Sequence, residues 1–217
     1  MKITEFMKVH SAAAEQISGP QCLDALQGAM DRGLAGQGNI PMLPSYLSGN
    51  IQVPEGAVCT VMDAGGTNYR TALARFESGK WELSGLGVRP MPGTERELNF
   101  ADFYGALAAP VRALGAYDRV GFCFSYNVTM DRTLDGSLDF WCKEVRAPEC
   151  VGRPVGESLK NVLGSDCRRV RVLNDSVAAM LGAGDVQVGV ILGTGINVCY
   201  SEKCGKITKI SGELNSD

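Results

Sequence analysis

Asn174 and Asp175 end a strand-like run, RRVRVLND, and open a helix-like one, SVAAMLGAG. A carboxylate at the carboxyl end of a strand in an α/β sheet projects into the crevice where ligands bind, and there it can take a proton from a hydroxyl. Aspartate is also a good helix cap, and position alone favours that duty for Asp175. The one histidine, His10, lies far off in the N-terminal segment. A general base in this chain therefore has to be a carboxylate, and Asp175 is the best candidate. A second acid, Asp63, precedes Gly65-Gly66-Thr67. Glycines lack Cβ atoms, so their backbone N–H groups can approach an anion closely, and Thr67 adds a hydroxyl donor. Asp63 is then placed to hold, through water, the magnesium that accompanies nucleotide phosphates. An ordinary hairpin capped by Asp63 explains the same text about equally well.

Each acid needs strands to carry it. Val58, Thr60 and Met62 alternate with Cys59, Val61 and Asp63, and after Gly65-Gly66 a second β-like run starts at Asn68 and passes through Tyr69, Thr71, Leu73 and Phe76. That is a strand, a glycine turn and a strand. Phosphate loops that cap a helix do not fit, because no GK[ST] follows and the next residues are β-branched and aromatic. VGVILGTGINVCY repeats the arrangement around Gly193-Thr194-Gly195. A dinucleotide fingerprint is rejected there, since Val198 holds the third glycine position and no helix follows. GKWELSG after the first hairpin resembles GKITKISG after the second, which predicts a third strand over Lys206–Ser211 and a duplicated three-strand unit facing a shared ligand.

The rest of the chain supplies helices and connecting strands. Pro20 suits a helix start, and Leu23, Leu26, Met30 and Leu34 recur at helical spacing, so a core helix is expected before the PMLPSYLSG linker. WELSGLGV is a third strand. Phe100, Phe103, Tyr104, Leu107, Val111 and Leu114 form one helical stripe, which Pro110 is expected to kink or end. RVGFCFSY, Arg119 to Tyr126, is a strand. Asp135-Gly136 is the turn of a small hairpin whose second arm carries Phe140, Trp141, Cys142 and Lys143. A short helix over Pro154–Leu163 and a strand over Arg169–Leu173 follow.

At 217 residues and a net charge of −3, the chain has ample length for a core and little attraction for a polyanion, so nucleic acid is not an expected partner. Lys2, Glu5, Lys8 and Glu15 break any signal-peptide core, and no apolar run is long enough to span a bilayer. The eight cysteines form no CxxC pair, and Cys59, Cys123 and Cys199 lie in apolar runs as reduced core residues do, which points to the cytoplasm. Cys199 and Cys204 lack the further ligands that zinc needs.

Taken together, these segments resemble the hexokinase and glucokinase family. Asp63-Ala64-Gly65-Gly66-Thr67-Asn68-Tyr69-Arg70 is similar to its first phosphate motif, and Leu192 to Tyr200 to its second. Arg119–Asn127 resembles the strand ending in Ser-Phe-Pro, Trp141–Val151 the Thr-Lys loop, and Leu173-Asn174-Asp175-Ser176-Val177 the family's VNDTV. AMDRGLAG and PMLPSYL resemble its leading helix and linker, so the matches are collinear along almost the whole chain.

The resemblance implies an α/β, actin-like ATPase (ribonuclease H-like) fold with two lobes around a cleft. Residues 1–52 would be a helical segment and linker of the large lobe, 53–173 a complete small lobe, and 174–217 the start of a truncated large lobe. Asp175 would deprotonate the sugar's 6-hydroxyl, with Lys143 as a second catalytic residue. Ser125, Cys142, Lys143, Asn174 and Asn197 would hold the hexose. Gly65, Gly66, Thr67, Asn68, Arg70, Gly193, Thr194 and Gly195 would bind the phosphates of ATP, with Asp63 serving Mg2+.

Three departures stand out: Cys142 replaces threonine, Tyr126-Asn127 replaces Phe-Pro, and the sequence ends at Asp217, before the family's sugar-binding glutamates and adenosine motif. The 217-residue chain by itself is therefore expected not to phosphorylate sugar, and its last strand to favour self-association through an open edge. A catalytically weak sugar sensor is the alternative function. A repressor-type sugar kinase would require a cysteine-rich zinc motif that has no match here.

Overall fold

The computed structural model describes residues 18–47, 52–193, 196–203 and 205–210. Two compact units divide the chain: Met1–Pro44 with Glu202–Asp217, and Ser45–Ser201. No helix among the described residues is long and apolar enough to cross a membrane.

In the first unit, helix α1 spans Gly19–Leu34 with proline in its first turn, where a missing N–H costs nothing. It differs from the expected core helix. Leu23 and Leu26 are 62% and 50% exposed, and Gly33 is its one buried residue. Gly33 is small for a reason: a Cβ there would lie 2.0 Å from the Ile40 carbonyl oxygen. The strand expected over Lys206–Ser211 does not form, since residues 205–210 make turns closed by Lys206 N–H to Lys203 O and Ile210 N–H to Ile207 O. Ser211 lies outside the described residues. The duplicated three-strand unit and the open edge inferred from that strand therefore lose their basis.

The second unit is built on a five-stranded sheet in the order β3-β2-β1-β4-β7. Strands β1 (Val58–Ala64), β2 (Asn68–Glu77) and β3 (Lys80–Pro90) form an antiparallel meander. β4 (Arg119–Phe124) then pairs parallel with β1, and β7 (Arg169–Leu173) parallel with β4. Parallel pairing requires crossovers, and helices supply them. The first is α2 (Phe100–Ala113), whose start is capped by Asn99 accepting from the Asp102 N–H at 2.8 Å. α2 runs through Pro110 to Ala113 instead of breaking there, because the proline falls in the last turn where little helix remains to disrupt. Tyr104, Phe103, Leu107 and Val111 of α2 join Phe122 and Phe124 of β4 in the core, and the Tyr69 hydroxyl donates to the Leu107 carbonyl at 2.7 Å.

Between β4 and β7 lies a hairpin of β5 (Asn127–Met130) and β6 (Gly136–Phe140), then helix α3 (Val155–Leu163). Two expectations shift here. β4 ends at Phe124, not Tyr126, and β6 ends at Phe140, so Trp141, Cys142 and Lys143 lie beyond the strand. The cause is Trp141, which turns inward to stack edge-on against Phe103, Phe124 and Tyr126 while its Nε1 donates to the Ala147 carbonyl at 2.8 Å. Asp135 is buried at the hairpin's turn. Its carboxylate accepts from the N–H groups of Gly136, Gly156 and Glu157, so it caps α3 from a distance.

β7 leads into helix α4 (Asp175–Gly182), which packs on the antiparallel hairpin of β8 (Val188–Leu192) and β9 (Ile196–Tyr200). The seven cysteines among the described residues are free thiols. Cys59, Cys123 and Cys199 are half-buried, and the fully buried pair is Cys150 and Cys167.

Candidate active site

Strand register assembles the site. Asp63 on β1 sits opposite Cys123 on β4, and Cys123 opposite Leu173 on β7, so the carboxyl ends of three adjacent strands are level. Asn174 and Asp175 follow directly. The Cys123 thiol reports the arrangement: burial first, then the charges of Asp63 and Asp175, push its pKa up to about 12. It is a neutral group standing between two carboxylates.

On the β7 side, the capping duty falls to Asn174 and not to Asp175. Asn174 has extended backbone, and its Oδ1 accepts from the Ser176 N–H at 3.0 Å and the Ser176 hydroxyl at 2.8 Å. Asp175 becomes the first helical residue, with Oδ1 accepting from the Ser176 N–H at 2.8 Å. Asn197 reaches in from β9, and its Nδ2 donates to Asn174 Oδ1 at 2.7 Å and to Asp175 Oδ1 at 3.0 Å. The amide therefore orients both residues, with its contacts to the acid confined to one carboxylate oxygen.

On the β1 side, Arg70 pairs with Asp63 at 2.8 Å, with side chains 45% and 40% exposed. So open a pair contributes little to stability and can be exchanged for another partner. The hairpin between them is closed by the Gly65 N–H donating to the Asn68 carbonyl at 3.0 Å, and it leaves Thr67 and Asn68 exposed. Lys143 lies against it: a Cβ on Gly66 would meet Lys143 Cδ at 2.8 Å. The ammonium donates to the Ser125 carbonyl at 2.6 Å and lies 5.0 Å from the Tyr126 ring centroid. Tyr126 in turn donates its hydroxyl to the Gly65 carbonyl at 2.7 Å.

The structure thus brings Asp63, Gly65, Gly66, Ser125 and Lys143 into one neighbourhood and Asn174, Asp175 and Asn197 into another, with Cys123 between. Cys142 is exposed beside Lys143, and its charge adds to the burial that raises the Tyr126 phenol above its ordinary range. Gly193 follows β8, with open space where its Cβ would be. Thr194 and Gly195 lie outside the described residues. Sequence reasoning missed the contact made by Tyr126 and read that position only as a change of loop shape. The signal was the hydroxyl itself, since a buried tyrosine needs a partner for it.

A three-stranded meander running into parallel strands, with acids at the level strand ends, belongs to an α/β protein of the actin-like ATPase fold. The hexokinase of Schistosoma mansoni, solved in complex with glucose, superposes with a TM-score of 0.66 at 27% identity, over 82% of this chain and 44% of that one. The chain belongs to the hexokinase family, whose profiles match residues 2–184 and 187–217. Human Hexokinase-2 is 29% identical over 223 residues, covering 91% of this chain and 24% of its own length. Hexokinase-7 of Oryza sativa subsp. japonica is 29% identical over 219 residues, covering 88% of this chain and 46% of its own. The chain therefore spans less than half the length of these relatives.

Proposed function

We propose that this chain carries the catalytic acid–base end of an ATP-dependent hexose kinase. The observation behind this reading is the oriented carboxylate of Asp175, held by Asn197 at the level strand ends that also present Asp63. Asp175 takes the proton of the sugar's 6-hydroxyl as that oxygen bonds to the γ-phosphorus and the bond to the bridging oxygen of the leaving ADP breaks. Phosphoryl transfer depends mostly on positioning and charge stabilisation, so one well-placed proton acceptor suffices. Asn174, Asn197, Ser125, Cys142 and Lys143 hold the hexose. The Gly65 and Gly193 turns, with Thr67, Asn68 and Arg70, receive the phosphates.

A magnesium ion bound with nucleotide takes one or two carboxylates plus water and phosphate oxygens, and the half-exposed carboxylate of Asp63 meets that requirement once Arg70 turns to a phosphate. When bound, the ion neutralises charge on the phosphates. A sugar-binding relative with weak catalysis is the second reading, favoured by the exposed Cys142 at the position of the family's threonine. A coupled assay of the full-length gene product with ATP and a panel of hexoses, run beside sugar calorimetry, separates the two. Turnover supports the kinase, sugar binding without turnover supports the sensor, and the absence of both turnover and sugar binding would sink both readings. The same measurements on the 217-residue chain decide whether the site is complete within these residues.

A further inference from the structure

Tyr126 touches both halves of the β1-side neighbourhood. Its hydroxyl holds the Gly65 carbonyl at 2.7 Å, and its ring carries the Lys143 ammonium 5.0 Å from the centroid. The lysine stem then returns to the hairpin, so close to Gly66 that a Cβ there would lie 2.8 Å from Cδ. Gly65, Tyr126, Lys143 and Gly66 therefore form a closed ring of contacts. The ring is anchored on rigid structure: Tyr126 is buried among Phe124 and Trp141, and the Ser125 N–H donates to the Ala64 carbonyl at 3.1 Å. The Met91 N–H also donates to the Thr67 carbonyl at 2.9 Å, so the hairpin is held from both flanks.

We propose that Tyr126 is a positioning residue that couples the Gly65-Gly66 hairpin to Lys143: its hydroxyl fixes the hairpin that receives phosphate, and its ring carries the lysine that faces the sugar. This rests on the kinase reading and extends it. A phenylalanine at this position keeps the ring but not the hydroxyl, so it can carry the lysine without restraining the Gly65 carbonyl. A glycine turn whose backbone N–H groups must converge on an anion is sensitive to such a restraint, because each peptide plane that rotates takes a donor with it.

Tyr126→Phe and Gly66→Ala test this in two ways. In the 217-residue chain, hydrogen exchange of the Gly65 amide should quicken at least about threefold in Tyr126→Phe while α2 amides stay unchanged. In the full-length gene product, Tyr126→Phe should raise the KM for magnesium-ATP several-fold and leave the glucose KM within about twofold. Gly66→Ala displaces the lysine and should raise the glucose KM several-fold from a change on the phosphate side. A merely structural role for Tyr126 would lower Tm and leave that split absent. Unchanged Gly65 exchange overturns the restraint, and faster exchange with an unchanged magnesium-ATP KM overturns the coupling. Should the wild type turn over no hexose, the kinase reading fails by itself. The second arm then passes to calorimetric Kd values for magnesium-ATP and glucose in the same variants, where the same split is required.

Discussion

Asn197 Nδ2 stands 2.7 Å from Asn174 Oδ1 and 3.0 Å from Asp175 Oδ1, joining the β8–β9 hairpin to the first turn of α4. Asn197→Ala removes both contacts. Turnover of the full-length gene product should fall about tenfold or more, since a hydrogen bond to a charged group contributes about 1.5–3 kcal/mol. Steady-state kinetics with hexose and ATP check this, and an unchanged kcat would show that Asp175 keeps its orientation without the amide.

Asp175→Asn preserves shape and hydrogen-bonding reach but removes the proton acceptor. Sugar binding by calorimetry should stay nearly intact, while turnover falls by at least about a hundredfold. Near-normal turnover would remove Asp175 from the mechanism.

Cys142→Thr restores a hydroxyl to the loop beside Lys143. The KM for glucose should drop. An unchanged or higher value would mean that this side chain does not face the sugar.

Asp135→Ala leaves the N–H groups of Gly136, Gly156 and Glu157 without their buried acceptor. The loss should be about 2–4 kcal/mol, seen as a lower midpoint in denaturant with little change in slope.

Cys123 should resist alkylation at pH 8 in the folded chain while exposed Cys142 reacts, because burial and two neighbouring carboxylates disfavour the Cys123 thiolate. Burial and these charges push its pKa up to about 12, above the 9.0 of an ordinary thiol. The unfolded chain therefore releases the proton first, and this contribution to stability, complete below pH 9.0, is lost as pH rises towards 12. Chemical denaturation across that range, comparing wild type with Cys123→Ala, isolates the effect; equal pH slopes would refute it.

Features written in short-range chemistry were legible in the sequence. Glycines between alternating runs marked both hairpins, Asn174-Asp175 at a strand end marked the acid, and the collinear motifs marked the actin-like fold. Features set by distant partners were not legible. Trp141 leaves the expected strand because Phe103, Phe124 and the Ala147 carbonyl receive it. Residues 205–210 form turns although GKWELSG forms a strand, since the latter has β2 to pair with. The apolar stripe of α1 had helical spacing, and spacing alone does not say what covers it. Asn197 was named as a sugar ligand, but its bonds to Asn174 and Asp175 needed the hairpin's placement.

The level strand ends have a consequence for how the chain acquires its site during synthesis. The Gly65 hairpin lies within one short stretch and can form soon after it emerges. Asp63 and Asp175 become neighbours of Cys123 only when β4 docks against β1 and β7 against β4, and those strands occupy residues 58–64, 119–124 and 169–173. Such non-local pairing is slow and comes after local structure. A nascent chain can therefore close the Gly65 turn long before Asp175 comes level with Asp63, and the amide of Asn197, which lies beyond the last strand of the sheet, reaches that acid later still.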